Sequence, residues 1–421
     1  MKYDAQRTET QHNVSRSDDV RRRNRHRIIS CIRRAGPISR KAIGSRLGLS
    51  PATVTAITTN LLAREILVEA SARTASGSGR GRPKSVLSLN PDVGLVALLD
   101  LRLNSISAIT FDYAGSQQGF VQADIETLAA SRQRIRATLI GCLHEVLATT
   151  GRKPADIRQI VVSVQGVTDA QNTRLLWSPI TKHTNLSIRA WLEREFAKPA
   201  WVCNDCNMAA RGLNWRDPKR YSESFAAILL AHGVGMGLFL RGEPISGTRS
   251  SGTEFGHMTY IPNGALCRCG SRGCIEAYAG DYAVLRRASG RPETEQPAST
   301  VHPDQLAEIV QAAKDGHADS IAALETAGRA LGTRLATMFA LVDPFPFALI
   351  GSGTLAQDPI ERSLRETLAE VLGPRNFSEA SDASFGSLPI DFIREDDALV
   401  RMGGAIYALS AVDREIAETA Y

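Results

Sequence analysis

His257, Cys267, Cys269 and Cys274 stand in the pattern H-x9-C-x-C-x4-C, inside the run HMTYIPNGALCRCGSRGCIEAY. Three of the chain's seven cysteines fall within eight residues there. Three thiolates and an imidazole are a preferred tetrahedral donor set for Zn²⁺, and Gly270 and Gly273 free the backbone to wrap an ion. Four protein donors leave no open position for activating a water, so the expected role of the zinc is structural. It would tie the loop carrying Glu254 and His257 to the start of the helix carrying Glu276. A neutral His257 can hold metal through one ring nitrogen and offer the other N–H to a ligand oxygen.

A second chemistry is expected at the other end of the chain. The net charge is +6 overall, but residues 1–90 hold 18 Lys and Arg against 6 Asp and Glu, and the remainder is net acidic. A basic head on an acidic body points to a polyanionic partner. Arg21 to Arg27 are densely basic, and Ile28, Ile29 and Ile32 follow at helical spacing until Gly36-Pro37. Ser39 can cap a second helix carrying Ala42, Ile43 and Leu47. After Gly48-Leu49-Ser50 comes SPATVTAITTNLLAREILV, in which Ser50 fits an N-cap and Pro51 the first helical position. Val54, Ile57 and Leu61 would face inward. Ala52, Thr55, Ala56 and Thr59 would face outward, small and uncharged, as a helix lodged in a major groove requires. Ser50 and Thr53 lie at its leading end, where such helices also meet DNA.

The next stretch, EILVEASARTASGSGRGRPKSVLSL, reads as strand, Gly/Ser-rich tip, strand. That is the wing of a winged helix-turn-helix, with Arg80, Arg82 and Lys84 at or near the tip, able to reach a minor groove or phosphates. The expected DNA-binding domain is therefore 1–90.

From about residue 91 the pattern changes. VGLVALLDL, SISAITFD, IRQIVVSVQG, FAAILLAHGVGMGLFL and FALIGSG are short apolar runs, separated by helical stretches such as 131–150, 304–315 and 320–342. Alternating strands and helices imply an α/β body, whose two halves would enclose a cleft where strands end. Gly233, Gly235 and Gly237 suit a turn that approaches a ligand closely, or merely hairpin geometry. No apolar run reaches membrane-spanning length and no signal-peptide stretch opens the chain, so the expected location is the cytoplasm, with reduced thiols and no membrane partner.

GVGMGLFLRGEPISGTRSSGTEFGHM followed by CRCGSRGCIEAY closely resembles the ROK family of bacterial repressors and sugar kinases. There the segment reads as a glycine-rich turn, Glu-x-Gly-His, then Cys-x-Cys-Gly-x-x-Gly-Cys-x-Glu. WVCNDCNMAARG is similar to the family's Asn-Asp segment. VSVQGVTD and SPITKHTNL resemble the segment lining its sugar pocket, and FALIGSG its late glycine strand. The resemblance implies a two-lobed actin/hexokinase-like body over 91–421, behind a head of the repressor branch. It also implies that Asn204, Asp205, Glu254, His257 and Glu276 hydrogen-bond sugar hydroxyls, groups that both donate and accept.

Asp205 matches the catalytic base of the family's kinases. Those kinases also resemble one another in an Asp-x-Gly-Gly-Thr loop that cradles phosphate. Here the same place reads LLDLRLNSIS, with Arg102, Leu103 and Asn104 where Gly-Gly-Thr would stand. Side chains there obstruct close approach of a phosphate, so the expected protein is no enzyme. It is expected to be a repressor of carbohydrate genes, binding operator DNA as a homodimer or dimer of dimers and released by a sugar or sugar phosphate. The alternative is a sugar kinase with an attached DNA-binding head.

Overall fold

The computed structural model describes residues 5–71, 85–373 and 388–419. Helix α1 (Ala5–Ala35) stops at Gly36, whose φ of 69° ends the helical run. The Ser39 hydroxyl accepts from Ala42 N to open α2 (Arg40–Leu47), which Gly48 closes in a left-handed conformation. Helix α3 (Pro51–Ala63) starts at Ser50, whose hydroxyl accepts from Thr53 N. Strands β1 (Leu67–Ser71) and β2 (Ser85–Leu89) pair antiparallel, Leu67 opposite Leu89 and Ser71 opposite Ser85. The tip between them, with Arg80, Arg82 and Lys84, lies outside the described residues.

Ile28, Ile29, Ile32, Ile43, Val54, Leu61 and Leu87 form the core of this head. The inward face of α3 differs by one position from the expected stripe: Thr58 is fully buried, while Ile57 is only partly so. Thr58 is tolerated there because its hydroxyl donates to Val54 O (2.8 Å) and accepts from Arg40 Nε (3.0 Å).

Two five-stranded sheets form the body. The first holds β3 (Leu95–Arg102), β4 (Ser105–Asp112), β5 (Gln117–Asp124), β6 (Ile157–Val164) and β9 (Ala200–Asn204), in the order β5-β4-β3-β6-β9. A small antiparallel pair, β7 (Val167–Thr168) and β8 (Leu175–Trp177), lies between β6 and β9 in the chain. Helices α4 (Arg132–Thr149), α5 (Ile188–Phe196) and α6 (Asp205–Arg216) complete this half. The second sheet holds β10 (Phe225–Leu230), β11 (Val234–Leu240), β12 (Glu243–Pro244), β13 (Phe347–Ile350) and β14 (Ile390–Ile393), in the order β12-β11-β10-β13-β14. Its helices are α7 (Glu276–Ala279), α8 (Asp281–Ala288), α9 (Pro303–Lys314), α10 (Ala318–Val342) and α11 (Gln357–Leu372).

The two sheets share one plan: three antiparallel strands, then two added in parallel. β3, β6 and β10 are buried along nearly their whole length, as central strands covered on both faces must be; β10 is an unbroken apolar run, and β3 and β6 are mostly apolar. β5, at an edge, alternates exposed and half-buried residues instead.

The last described helix, α12 (Asp396–Glu418), returns to the first half and packs along α6. The contact is backbone to backbone: a Cβ on Gly403 would stand 1.8 Å from Met208 O, and one on Gly212 would stand 2.1 Å from Leu399 O. Its far end holds the head. Asp413 takes a bidentate pair from Arg33 (2.7 and 2.8 Å) and a hydrogen bond from Tyr113 OH (2.7 Å). The Arg33 and Asp413 side chains are 3% and 2% exposed, so this pair is a buried anchor rather than a surface contact. Arg25 donates to Ala417 O and Arg64, which follows α3, to Ile416 O. Two head arginines thus cap the carbonyl end of α12, where the helix dipole favours cations. No helix among the described residues is long and apolar enough to cross a membrane.

Candidate functional site

A cavity of about 240 Å³ opens between the two halves, at the ends of β6, β9 and β10. Asp205, the first residue of α6, lines it and is buried. Burial pushes its carboxyl up to about 6, and the Arg102 guanidinium opposes that shift. Both of its hydrogen bonds, from Cys206 N (2.9 Å) and Cys206 Sγ (3.4 Å), fall on Oδ1. Among the described residues, Oδ2 is therefore the oxygen left for a ligand.

The neighbouring Asn204 serves as a cap. Its Oδ1 accepts from Asn207 N (3.0 Å) and its amide nitrogen donates to Gly166 O (2.8 Å). One amide N–H is left to face the cavity that Asn204 also lines. Glu254 projects at the mouth with 44% of its side chain exposed, its Oε2 3.9 Å from His257 Nε2. Glu276 is deeper. Its Oε2 accepts from Val234 N (3.2 Å), and its Oε1 from Cys267 Sγ (3.4 Å) and Tyr282 OH (3.3 Å). Trp177, edge-on to the His257 ring at 5.8 Å, adds an apolar wall of the kind that packs on sugar C–H faces.

Gly233 and Gly235 also line the cavity, but packing explains them as well as ligand approach does. A Cβ on Gly235 would meet Cys206 Sγ at 2.3 Å, and one on Gly237 would meet Cys206 O at 2.2 Å. These two glycines let α6 sit close on β11, which fixes where Asp205 points.

His257, Cys267, Cys269 and Cys274 converge, their ligand atoms all within 4.8 Å of one another. Cys269 Sγ lies 3.8 Å from Cys274 Sγ, and Cys267 Sγ 3.8 Å from His257 Nδ1. A tetrahedron with Zn–S bonds of about 2.3 Å has edges of about 3.8 Å, so the spacing suits that ion. Hydrogen bonds from Cys267 and His257 push Cys269 down to about 3, so the set holds one thiolate readily. Nδ1 faces the sulfurs and Nε2 faces Glu254, which divides the imidazole between cluster and cavity. These four residues can hold a metal.

The β3–β4 turn closes the opposite side. Leu103 N donates to Gln165 Oε1 (3.0 Å) and Asn104 N to Thr127 Oγ1 (3.2 Å). The turn's own amides are thus occupied by side chains of the chain. Arg102 binds Asp100 (2.9 Å), Asp396 (3.3 Å) and Asp397. Burial alone would lower its pKa, and the surrounding carboxylates more than reverse that.

On the head, Ala52, Thr55, Ala56 and Thr59 are all exposed on one face of α3. Ser50 and Thr53 turn their hydroxyls to each other (2.9 Å), so they also fix the start of that helix.

A sequence model of the ROK family matches residues 105–383. The chain belongs to the ROK family. A MarR family model matches residues 22–68, within the head. This ROK chain is 24% identical to the xylose repressor of Caldicellulosiruptor bescii over 371 residues, 87% of this chain and 90% of that one. It is 23% identical to the N-acetylglucosamine repressor of Escherichia coli O157:H7, over 82% and 84% of the two chains. Among solved structures, a ROK family transcriptional regulator described as a homolog of the E. coli MLC protein superposes with a TM-score of 0.74 at 22% identity, covering 94% of this chain and 98% of that one. A ROK hexokinase from Thermus thermophilus gives 0.60 at 24% identity, covering 76% and 99%. The first superposition takes in nearly the whole chain and the second about three quarters of it.

Within this ROK chain, sequence reasoning missed Asp396 and Arg268 on the cavity wall and the Arg33–Asp413 anchor behind it. Asp396 lies 294 residues from Arg102, and no local pattern announces such a pairing.

Proposed function

We propose that this protein is a sugar-responsive transcriptional repressor of the cytoplasm, acting on carbohydrate uptake or catabolism genes. The carrying observation is the course of α12: it starts at Asp396 on the cavity wall and ends under Arg25 and Arg64 of the head. The xylose and N-acetylglucosamine repressors among its relatives support the same reading.

In this reading Asn204, Asp205, Glu254, His257 and Glu276 hydrogen-bond the sugar, and a zinc held by His257, Cys267, Cys269 and Cys274 keeps their loops in place. Ala52, Thr55, Ala56 and Thr59 meet base edges, while Ser50 and Thr53 fix the helix that presents them. Arg80, Arg82 and Lys84 carry the wing's contacts. A homodimer places two α3 helices in major grooves roughly 34 Å apart on a palindromic operator. Sugar closes the cleft; α6 and α12, locked by their glycine contacts, shift together and carry the head out of register. The sugar must bind the closed state more tightly than the open one, or it shifts nothing. The domains act as 1–90 for DNA and 91–421 for sugar and assembly.

One observation favours a sugar kinase with a DNA-binding head, namely Asp205 in the cavity. Against it stand Arg102, Leu103 and Asn104, in a turn that spends the Leu103 and Asn104 amides on Gln165 and Thr127 rather than on a phosphate. Fluorescence anisotropy of an operator fragment against a sugar panel tests the repressor: one sugar should release the DNA. Sugar-dependent ATP turnover that disappears in Asp205→Asn would promote the kinase instead.

A further inference from the structure

The same cavity bears on the charge of its ligand, an inference that rests on the sugar-binding reading above. A phosphate ester needs a free guanidinium or ammonium, uncapped helix N-termini, or a row of open backbone amides. Each of these devices here is already engaged. Arg102 is held by three carboxylates, Asp100, Asp396 and Asp397. Arg268, the one arginine on the described wall, gives Nε and Nη2 to Ala298 O and Nη1 to His232 O. Its plane lies over the Tyr282 ring at 4.3 Å.

Two long helices begin at the cavity, and both carry their own anion. The first turn of α6 is capped by Asn204 Oδ1 on Asn207 N and by Asp205 Oδ1 on Cys206 N. That of α12 carries Asp396 and Asp397. The β3–β4 amides are spent on Gln165 and Thr127. A phosphate dianion beside Asp205 and Asp396 would meet repulsion, with only the spare Asn204 amide N–H and the His257 ring to set against its lost hydration.

We propose that the effector is an unphosphorylated, uncharged sugar, and that the clasp of Arg102 by Asp396 and Asp397 turns phosphate esters away. Hydroxyls suit the same wall, because they donate to carboxylates without adding charge.

The test is calorimetry on the full-length protein with D-xylose, D-glucose and N-acetyl-D-glucosamine, each beside its 5- or 6-phosphate. The expected result is that a free sugar binds and its ester binds at least a hundredfold more weakly. An ester that matches or exceeds its parent sugar overturns the inference alone. Silence from both series overturns the sugar reading, and this inference with it. The double variant Asp396→Asn/Asp397→Asn releases Arg102 from two of its three partners and should narrow the sugar-to-ester ratio at least tenfold. Because that ratio is taken within one protein, a general loss of folded material cancels. An unchanged ratio in a variant that still binds the free sugar removes the clasp from the argument.

Discussion

Replacing Asp205 by asparagine should strengthen the fold and weaken the function. Burial lifts this carboxyl from 3.8 to about 6 even with Arg102 nearby. A rise of about two units, at about 1.4 kcal/mol each, means that keeping the group ionised at pH 7 costs the folded state roughly 3 kcal/mol. The folded protein holds this proton more tightly than the unfolded chain does. The cost is therefore absent below about pH 4, grows as pH rises, and is complete above about pH 6. An amide can still accept from Cys206 N, but its NH₂ must find a partner, which returns about 1 kcal/mol. We expect Asp205→Asn to gain roughly 1–2 kcal/mol at pH 7, and the gain to vanish and turn into a loss of up to about 1 kcal/mol as pH falls to 4 and below, where only the amide penalty is left. A sugar hydroxyl would lose its charged acceptor, at about 1.5–3 kcal/mol, or roughly ten- to hundredfold in affinity. Thermal melts across pH 4–8 read the first effect and calorimetry with the responsive sugar the second. A variant that is less stable at pH 7, by a margin that does not move with pH, would refute the burial argument.

Metal analysis should return about one Zn²⁺ per chain; Cys269→Ser should lose both the metal and the sugar response, and unchanged sugar affinity without metal would break the link. Gly403→Ala would ordinarily favour a helix by about 1 kcal/mol, yet here the added methyl meets Met208 O, so a lowered melting temperature is expected. Operator binding should weaken steeply with salt. In anisotropy titrations of operator variants, Thr55→Ala or Thr59→Ala should alter base preference by about 1–3 kcal/mol at the affected position, whereas Arg82→Ala should weaken all sequences alike.

What could be read from the sequence was mostly local. The four cluster residues fall within one short run, so their donor types and spacing point to metal unaided. Ser50, Pro51 and the small outward residues of α3 are likewise neighbours, and the structure presents Ala52, Thr55, Ala56 and Thr59 together on an exposed face. Gly235 and Gly237 were harder, because a glycine that admits a ligand and one that admits a helix look the same in sequence. Asn204 carries two roles at once, capping α6 while lining the cavity. Arg102 showed only as an obstruction; that it is bound by Asp396 and Asp397 depends on α12 returning from nearly 300 residues away. Thr58 is not legible as a core residue, because a hydroxyl reads as outward unless its bonds to Val54 O and Arg40 are known.

The anchor between Arg33 and Asp413 has a consequence for synthesis. The two residues are 380 positions apart, and the apolar core that holds Ile28, Ile29 and Ile32 also holds Val412 and Ile416. A ribosome makes the head long before the helix that completes its underside. Until then Arg33 lacks its carboxylate and the head lacks part of its cover. An unfinished chain thus carries the head without the buried pair and the apolar contacts that fix its angle on the body.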